Sequence, residues 1–382
     1  MVVSRKSGFG IAVLSVGVAV AATAGCGTVS NSAQQGSAPK VNNVVYFGNP
    51  NADAATLGDY VIQGTGTSAD NTPFINTVVL FAANIDNQGQ VPPTSPSLQA
   101  PILDISDSNL GGPNYPPPPQ EPRVTNWIAP TVATLQAKGM KVLLGILPNH
   151  QVTGWSCPGM SAAAQQNFAN QIEAATKQYN FDGISIDDEY SECPNDDPGG
   201  DPGVSYGILN DLRSTPTYSG DKKLITKSLY NDSFAFPPLA TPLTTNSIAA
   251  LVDQGWTEVY PGPYSDLSTY QTAGMKNSQL GLSASPNHDL IAGTQSPTAA
   301  SVVQNNLGFM MIWATDGNNG IGFTSQQRAG WYSSALQGEF GNSSASVIYT
   351  GPSSSTKAPT PVPAKAPPMN KDQTQPSQAK KK

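Results

Sequence analysis

The sequence contains few charged residues, few histidines and few cysteines. Asp, Glu, Lys and Arg make up only 12% of the 382 residues, and there are two histidines and three cysteines. The histidines, His150 and His288, have no close-spaced ligand partner, which argues against a zinc site. The formal net charge is −7, and the residues after Gly351 include six lysines and one aspartate. The rest of the chain therefore carries −12, and such an acidic body argues against nucleic acid as a ligand.

Glycine and proline are abundant instead, with 36 and 34 residues, and hydrophobic residues make up 38% of the chain. This composition is typical of a loop-rich extracellular enzyme, and the length fits one large domain with terminal extensions. Residues 352–382 are rich in Ser, Pro, Lys and Gln and cannot bury enough apolar surface to become ordered. We predict four segments: a signal peptide over 1–25, a flexible tether over 26–41, a folded domain over 42–350 and a disordered tail over 351–382.

The N-terminal segment has the pattern of an export signal. Two basic residues precede an apolar stretch from Gly8 to Ala24, which is followed by Gly25 and Cys26. Small residues before a cysteine resemble the lipobox of bacterial lipoproteins. We therefore expect Cys26 to carry lipid and to anchor the chain, extracytoplasmically, to a bacterial membrane. Ordinary cleavage after Ala24, which would give a secreted protein, is the alternative.

Short apolar runs alternate with helical patterns between the two ends of the chain. Most runs are β-branched or aliphatic and nearly continuously apolar, which indicates parallel strands covered on both faces. Eight such runs predict a (β/α)8 barrel. A doubly wound open sheet is the alternative, but no G-x-G-x-x-G follows a strand here. The predicted strands are Val44–Phe47, Thr77–Ile85, Lys141–Leu147, Gly183–Asp187, Leu224–Tyr230, Glu258–Tyr260, Leu280–Ser283 and Phe309–Trp313.

Helical patterns lie between several of these strands. Apolar side chains recur every three to four residues from about Ser161 to Gln178, which predicts a helix with one buried stripe. A second helix is expected around Ile248–Val252, closed by Gly255. A third should begin at Ser296-Pro297, since proline is favoured in the first helical turn.

Polar and apolar side chains alternate along the fourth predicted strand. Ser185, Asp187 and Glu189 share one side, while Ile184 and Ile186 share the other. The isoleucines should pack against helices, and the polar set should point into the mouth of the barrel, where barrel active sites lie. Two close carboxylates in a partly buried site favour one protonated acid beside one ionised partner, which glycosidic cleavage requires.

Other acidic residues near this strand have a plainer interpretation. A solvated loop or, less favoured, a calcium site accounts for Asp188, Glu192, Asp196, Asp197 and Asp201.

Two cysteines flank the same region. With Cys26 lipidated, Cys157 and Cys193 remain as an even pair in an oxidising compartment. They follow the third and fourth strands, whose loops emerge side by side in a barrel, so we expect a disulfide between them.

The segment from Asp182 to Glu189, Asp-Gly-Ile-Ser-Ile-Asp-Asp-Glu, resembles the DxxDxDxE signature of glycoside hydrolase family 18. Its ending, Asp187-Asp188-Glu189-Tyr190, is similar to the endo-β-N-acetylglucosaminidases related to endoglycosidase H. The resemblance spans about Asn42 to Gln337. Further matching segments are Val78–Ile85 and Gly139–Gln151 for the second and third strands, Ser228–Asn231 for the fifth, and Trp313 with Asp316-Gly317 for the eighth.

The resemblance implies a retaining, substrate-assisted hydrolysis that needs no cofactor. Glu189 would protonate the glycosidic oxygen, and Asp187 would orient the substrate's 2-acetamido group, which attacks the anomeric carbon to give an oxazolinium ion. A tyrosine from the sixth-strand region would lie near that group. The predicted substrate-binding residues are Tyr260, Tyr264, Trp313, Asn149 and Tyr230, and Trp256 is a further aromatic residue that could stack on sugar or pack in the core.

One position departs from the signature, because the family's inner aspartate is Ser185 here. A serine could donate a hydrogen bond to Asp187 and lower its pKa.

The expected ligands are N-acetylglucosamine-containing glycans, and the expected state is a monomer. Three functions follow: an endo-β-N-acetylglucosaminidase acting on the GlcNAc-β1,4-GlcNAc core of N-linked glycans, a chitinase-like hydrolase, and a non-catalytic glycan-binding lipoprotein. The presence of both Asp187 and Glu189 favours the first over the last.

Overall fold

The computed structural model describes residues 41–48, 54–86, 101–104, 129–148, 153–189, 191, 193, 200–229, 236, 248–286, 293–313 and 323–351. All of them lie in one unit of the chain, Ser37–Lys382. The expected signal segment with Cys26, the terminal tail, Asn149 and Tyr230 lie outside the described residues. Within the described ranges, no helix has the length and apolar content needed to cross a membrane.

Eight parallel strands close into a barrel, as the sequence predicts. Strands β1, β3, β5, β6, β7, β8, β9 and β10 pair in that order, and β10 pairs back to β1 through Val44 opposite Met311. The bounds of all strands are β1 Asn42–Phe47, β2 Tyr60–Gln63, β3 Ile75–Asp86, β4 Ile102–Asp104, β5 Lys141–Leu147, β6 Gly183–Ile186, β7 Leu224–Leu229, β8 Gln254–Thr257, β9 Leu280–Ala284, β10 Phe309–Ile312 and β11 Ser346–Tyr349.

Three short strands lie outside the barrel. β4 pairs antiparallel with the end of β3, and β2 pairs antiparallel with β11. The described helices are α1 Ala129–Ala137, α2 Ala162–Gln178, α3 Pro202–Ser214, α4 Pro216–Ser219, α5 Ser268–Thr272, α6 Gln295–Gln304 and α7 Ser325–Phe340. The predicted helix over 161–178 is confirmed as α2, and Ser161 caps it by accepting from the Ala164 N–H at 3.2 Å. α6 begins one residue before the predicted Ser296.

The sixth barrel strand is the main correction to the predicted elements. It runs over Gln254–Thr257, not over Glu258–Tyr260, and only a short 3-10 turn, Ile248–Ala250, precedes it where a helix was predicted. Gly255 does not close a helix but lies inside the strand. A Cβ there would come within 2.9 Å of the Leu229 side chain, so a larger residue at this position would have to displace Leu229.

Apolar side chains form one cluster inside the barrel and a larger one between the barrel and its helices. The interior cluster includes Tyr46, Phe81 and Trp256. Ile184 and Ile186 belong to the outer cluster, while the side chain of Ser185 contacts Tyr46 inside the barrel. The predicted alternation along the fourth strand is therefore confirmed, and it directs the residues that follow β6 towards the barrel mouth.

The first two residues of the signature segment hold the start of β6. Asp182 accepts from the Val142 N–H at 2.9 Å and from the Gln136 amide at 3.0 Å, which joins the start of β6 to β5 and to α1. Gly183 has φ 152°, and a Cβ there would lie 2.1 Å from the Leu224 carbonyl oxygen. Only glycine fits this position without displacing β7. These two residues are therefore structural, at the end of β6 away from the carboxylates.

Candidate active site

Three carboxylates meet at the C-terminal end of the barrel. Asp187 and Glu189 follow β6, and Glu258 follows β8. One carboxylate oxygen from each lies within 4.8 Å of the other two. Asp187 is 4% exposed, and the two glutamates are half-buried. The structure thus brings together the two predicted catalytic residues and adds a third carboxylate that the sequence interpretation did not select.

Glu258 enters the site because the side-chain alternation of β8 continues past the strand. Trp256 lies in the barrel interior, so Glu258 and Tyr260, two and four residues later, lie on the same side. Burial raises the pKa of Tyr260 well above its usual range, and Glu258 is the charged neighbour with the largest effect. This alternation could have indicated that Glu258 faces the site. It was missed because the predicted strand began four residues too late and did not include Trp256.

Hydrogen bonds from β9 hold the backbone that carries Glu258. The Thr257 and Ser283 hydroxyls are 3.0 Å apart, and the Ser283 hydroxyl donates to the Val259 carbonyl at 2.7 Å. The Gly262 N–H donates to the Ser283 carbonyl at 2.9 Å, and a Cβ on Gly262 would collide with the Thr257 hydroxyl. The residues on both sides of Glu258 are therefore fixed by the neighbouring strand.

Ser185 bonds to a tyrosine and not to Asp187. Its hydroxyl lies 2.8 Å from the hydroxyl of Tyr46, which also contacts the Ser228 hydroxyl at 3.0 Å and accepts from the Trp256 indole at 3.2 Å. The predicted hydrogen bond from Ser185 to Asp187 is wrong, because Tyr46 on β1 occupies the barrel interior beside Ser185. All four of these polar groups are buried, and each has a hydrogen-bond partner among the others.

The pKa of Asp187 is raised, not lowered as the serine substitution had suggested. Burial is the largest cause, and the neighbouring Glu189 carboxylate adds to it. The charge of Lys227 and a hydrogen bond from the Glu189 backbone N–H act in the opposite direction but do not outweigh these effects. The neutral form of Asp187 is therefore favoured well above the pH at which an exposed aspartate ionises.

Lys227 is a buried cation on the neighbouring strand. It is 1% exposed, its ammonium group donates to the Ser228 carbonyl at 2.9 Å, and its Nζ lies 4.3 Å from the centre of the Phe236 ring. In the pairing of β6 with β7, Lys227 lies opposite Ile186, next to Asp187 in sequence. It thus provides positive charge that acts on the Asp187 carboxyl group.

The aromatic residues predicted to bind substrate lie in different surroundings. Tyr260 is half-buried beside the carboxylates, and Trp313, directly after β10, packs against Tyr46 and Phe81 with ring centres 5.7 and 5.3 Å apart. Tyr264 is 36% exposed, and its hydroxyl accepts from Gln271 at 2.8 Å. Trp256 has no exposed surface, so it serves the core. Substrate contacts by the other three remain predictions.

A disulfide braces the loops beside the site. Cys157 and Cys193 are bonded, with α-carbons 5.2 Å apart, as predicted. Ser156, next to the first cysteine, donates to the Asp188 carboxylate at 3.3 Å. Asp188 is thus half-buried and tied to the loop after β5, and it is not a merely solvated acid. The loops after β5 and β6 are joined both covalently and by this hydrogen bond.

Asp187, Glu189 and Glu258 are also the described residues whose spacing would suit a metal ion. Three carboxylate oxygens are the ligands that hard cations such as calcium prefer. A bound cation would, however, favour ionisation of all three carboxyl groups. We assign no ion to them.

The sequence is similar to known endo-β-N-acetylglucosaminidases. It is 29% identical over 257 residues to endo-β-N-acetylglucosaminidase F1 of Elizabethkingia meningoseptica, covering 67% of each chain. It is 28% identical over 264 residues to an endo-β-N-acetylglucosaminidase of Flavobacterium sp. strain SK1022, covering 69% of this chain and 70% of the relative. No protein-family model matches the chain. These relatives confirm the resemblance expected from the signature segment.

The fold is similar to that of EndoBT-3987 of Bacteroides thetaiotamicron. Its structure with a Man5GlcNAc product matches with a TM-score of 0.56 and 17% identity, over 81% of this chain and 62% of that chain. Its structure with a Man9GlcNAc2Asn substrate matches with the same TM-score and identity, over 67% of that chain. At this identity the likeness shows the barrel fold.

Proposed function

We propose that this chain is an endo-β-N-acetylglucosaminidase that hydrolyses the GlcNAc-β1,4-GlcNAc core of N-linked glycans. The observation that carries the proposal is the meeting of Asp187 and Glu189 at the carboxyl end of the barrel strands, within 4.8 Å. The two relatives named for this activity support it. EndoBT-3987, which shares the fold, binds an N-glycan substrate and its product, which supports the same substrate class.

The short separation of the carboxylates argues against an inverting reaction. Inverting glycosidases keep their two carboxyl groups about 6.5–9.5 Å apart to admit a water molecule between them and the sugar. One oxygen of Asp187 and one of Glu189 lie within 4.8 Å of each other, which is closer than that. Asp187 is also a poor nucleophile, since burial raises its pKa and favours its neutral form. A neutral, buried carboxyl is suited to hydrogen-bond and orient an acetamido group instead.

The substrate then supplies its own nucleophile. Glu189 gives its proton to the glycosidic oxygen as the bond from that oxygen to the anomeric carbon breaks, and the acetamido oxygen attacks the same carbon to form an oxazolinium ion. Glu189, now a carboxylate, accepts a proton from water, whose oxygen adds to the anomeric carbon and reopens the ring. Configuration at the anomeric carbon is retained because it is inverted twice.

Two substrates test this function. A high-mannose glycoprotein and chitin oligomers are each incubated with the parent chain, and the products are weighed. We expect loss of the glycan with one N-acetylglucosamine left on the protein. Cleavage of chitin oligomers alone would favour the chitinase-like alternative, and binding without cleavage would favour the non-catalytic one.

Glu189→Gln keeps the size of the side chain but cannot deliver a proton. We expect it to bind glycan like the parent while kcat falls by about 10²–10⁴-fold, the usual contribution of general acid catalysis. Equal turnover by the variant and the parent would refute the assignment of Glu189. An analogue with hydroxyl in place of the acetamido group should be cleaved far more slowly, and equal cleavage would exclude substrate assistance.

We further propose that the chain works outside the cytoplasm on a lipid anchor at Cys26. The Cys157–Cys193 disulfide supports an oxidising compartment. Mass spectrometry of the native protein should find a diacylated N-terminal cysteine. A mature chain that begins at Gly25 with a free thiol would refute the anchor.

A further inference from the structure

We propose that Glu258 is a positioning residue for Glu189, and that its carboxylate keeps on Glu189 the proton that Glu189 donates in the proposed reaction. The inference rests on the proposed function for its catalytic meaning. Ser185 stands where the resembled signature has an inner aspartate, so the fourth strand brings one carboxylate fewer than the signature. Glu258 comes from the sixth barrel strand instead and restores the number of neighbouring carboxylates to three.

The geometry places Glu258 where its charge acts on the other two acids. Its carboxylate oxygen lies within 4.8 Å of oxygens of Asp187 and Glu189. Its backbone is fixed on both sides, because Thr257 and the Val259 carbonyl each bond to Ser283. A like charge at this distance in a half-buried site disfavours ionisation of its neighbour more strongly than it would in bulk water.

The ionisable groups around Glu258, among the described residues, determine which carboxyl groups hold a proton. The carboxyl groups are Asp187, Asp188 and Glu189 after β6, and Lys227 on β7 is the buried cation. Tyr46 on β1 and Tyr260 after β8 have pKa values raised by burial and then by Glu258. Both hydroxyl groups therefore stay neutral at the pH values at which carboxyl groups titrate. Burial already favours the neutral form of Asp187, and the like charge of Glu258 favours protonation of Glu189 as well.

Replacing Glu258 by glutamine removes the charge and keeps the shape. We expect the pKa of Glu189 to fall, so that the alkaline limb of the kcat/KM profile moves to lower pH by the same amount. KM at acidic pH should stay near that of the parent. A purely structural role would instead lower activity at every pH and leave the limb in place.

A direct titration tests the inference without any substrate. The full chain is labelled with ¹³C at the glutamate carboxyl groups, and the NMR signal of Glu189, assigned from Glu189→Gln, is followed across pH in the parent and in Glu258→Gln. A lower midpoint in the variant supports the inference, and identical midpoints overturn it. Because the titration needs no turnover, failure of the proposed function shows separately, as an inactive parent.

Two further variants sharpen the result. Asp266→Asn removes the same charge from an exposed residue of the 3-10 helix Tyr264–Leu267, which follows the same strand, and should shift neither the titration nor the pH profile. Ser185→Asp combined with Glu258→Gln returns a carboxylate to β6 beside the Tyr46 hydroxyl and should move the alkaline limb back towards the parent. If Glu258→Gln loses all turnover and the parent forms a covalent glycosyl-enzyme through Glu258, the residue is a nucleophile and the inference is wrong.

Discussion

Changing one oxygen of the Asp187 carboxyl to an amide nitrogen separates orientation of the substrate from acid catalysis. Asp187→Asn should reduce kcat for a natural glycan by about 10²–10³-fold, the range seen when one preorganised polar group is removed from an active site. The same variant should still transfer sugar from a preformed oxazoline donor, because formation of the oxazolinium ion is bypassed. Steady-state kinetics with the two donors measure this difference.

Glu189→Gln is the matched comparison for this prediction. It should lose hydrolysis of the natural glycan more completely, because it removes the acid and not the orienting group. If Asp187→Asn loses both reactions to the same extent, Asp187 supports the structure of the site and does not orient the acetamido group.

The position of a single side chain could be predicted from the sequence where the residue continues the alternation of a clear strand. Asp187 and Glu189 follow an unambiguous apolar strand, so alternation alone assigned them to the barrel interior. Glu258 was not selected because Gly255 has the pattern of a helix end, whereas packing against Leu229 makes it a strand residue. The environment of Ser185 depends on Tyr46, which lies 139 residues earlier in the chain, and no local pattern contains that contact.

At the scale of elements, the Cys157–Cys193 disulfide joins two loops on the active-site face. Replacing both cysteines by serine should lower the free energy of unfolding by about 4 kcal/mol, since the bridge closes a loop with a sequence separation of 36. Chemical denaturation with and without reductant measures the loss. The parent under reducing conditions should match the double variant, and an unchanged denaturation midpoint would show that the bridge contributes nothing to stability.

The elements that were predicted well are the ones with long local patterns. α2 carries an apolar stripe and its own serine cap, so its bounds were readable from the sequence. The pairing of β2 with β11 was not readable, because it joins Val61 to Ile348 across most of the chain and each strand has only four residues. Short elements of this kind form through tertiary packing, not through local propensity.

The whole barrel could be predicted because eight short apolar runs with intervening helical patterns have few ways to bury all of their strands. The pKa values of its buried acids could not be predicted from the sequence. Its least expected buried acid is Glu339, in the last turn of α7, which is 5% exposed and has a carboxyl oxygen without a hydrogen-bond partner among the described residues. Nothing in the local sequence marks this glutamate as buried.

Glu339 should make the stability of the molecule depend on pH. Burial raises its pKa from about 4.5 to about 8, and a hydrogen bond with Asn43 only partly opposes this. The folded state therefore holds a proton that the unfolded state releases. The contribution of Glu339 to the free energy of unfolding should be highest below about pH 4.5 and should fall by at most about 1.4 kcal/mol per pH unit as the pH rises towards 8.

Glu339→Gln should remove this dependence, because glutamine keeps the neutral hydrogen-bonding group at every pH. Denaturant unfolding at several pH values between 5 and 8 (about the range set by the two pKa values) should give a flatter profile than the parent and a more stable protein at the alkaline end. Glu173→Gln is the control: burial raises the pKa of Glu173, but hydrogen bonds from Lys177 and Thr217 outweigh it and leave that pKa lowered. Its contribution is already complete above its usual pKa, so this variant should keep the slope of the parent. A Glu339→Gln profile parallel to that of the parent would mean that Glu339 is ionised in the folded chain and that its charge is stabilised by a contact other than Asn43.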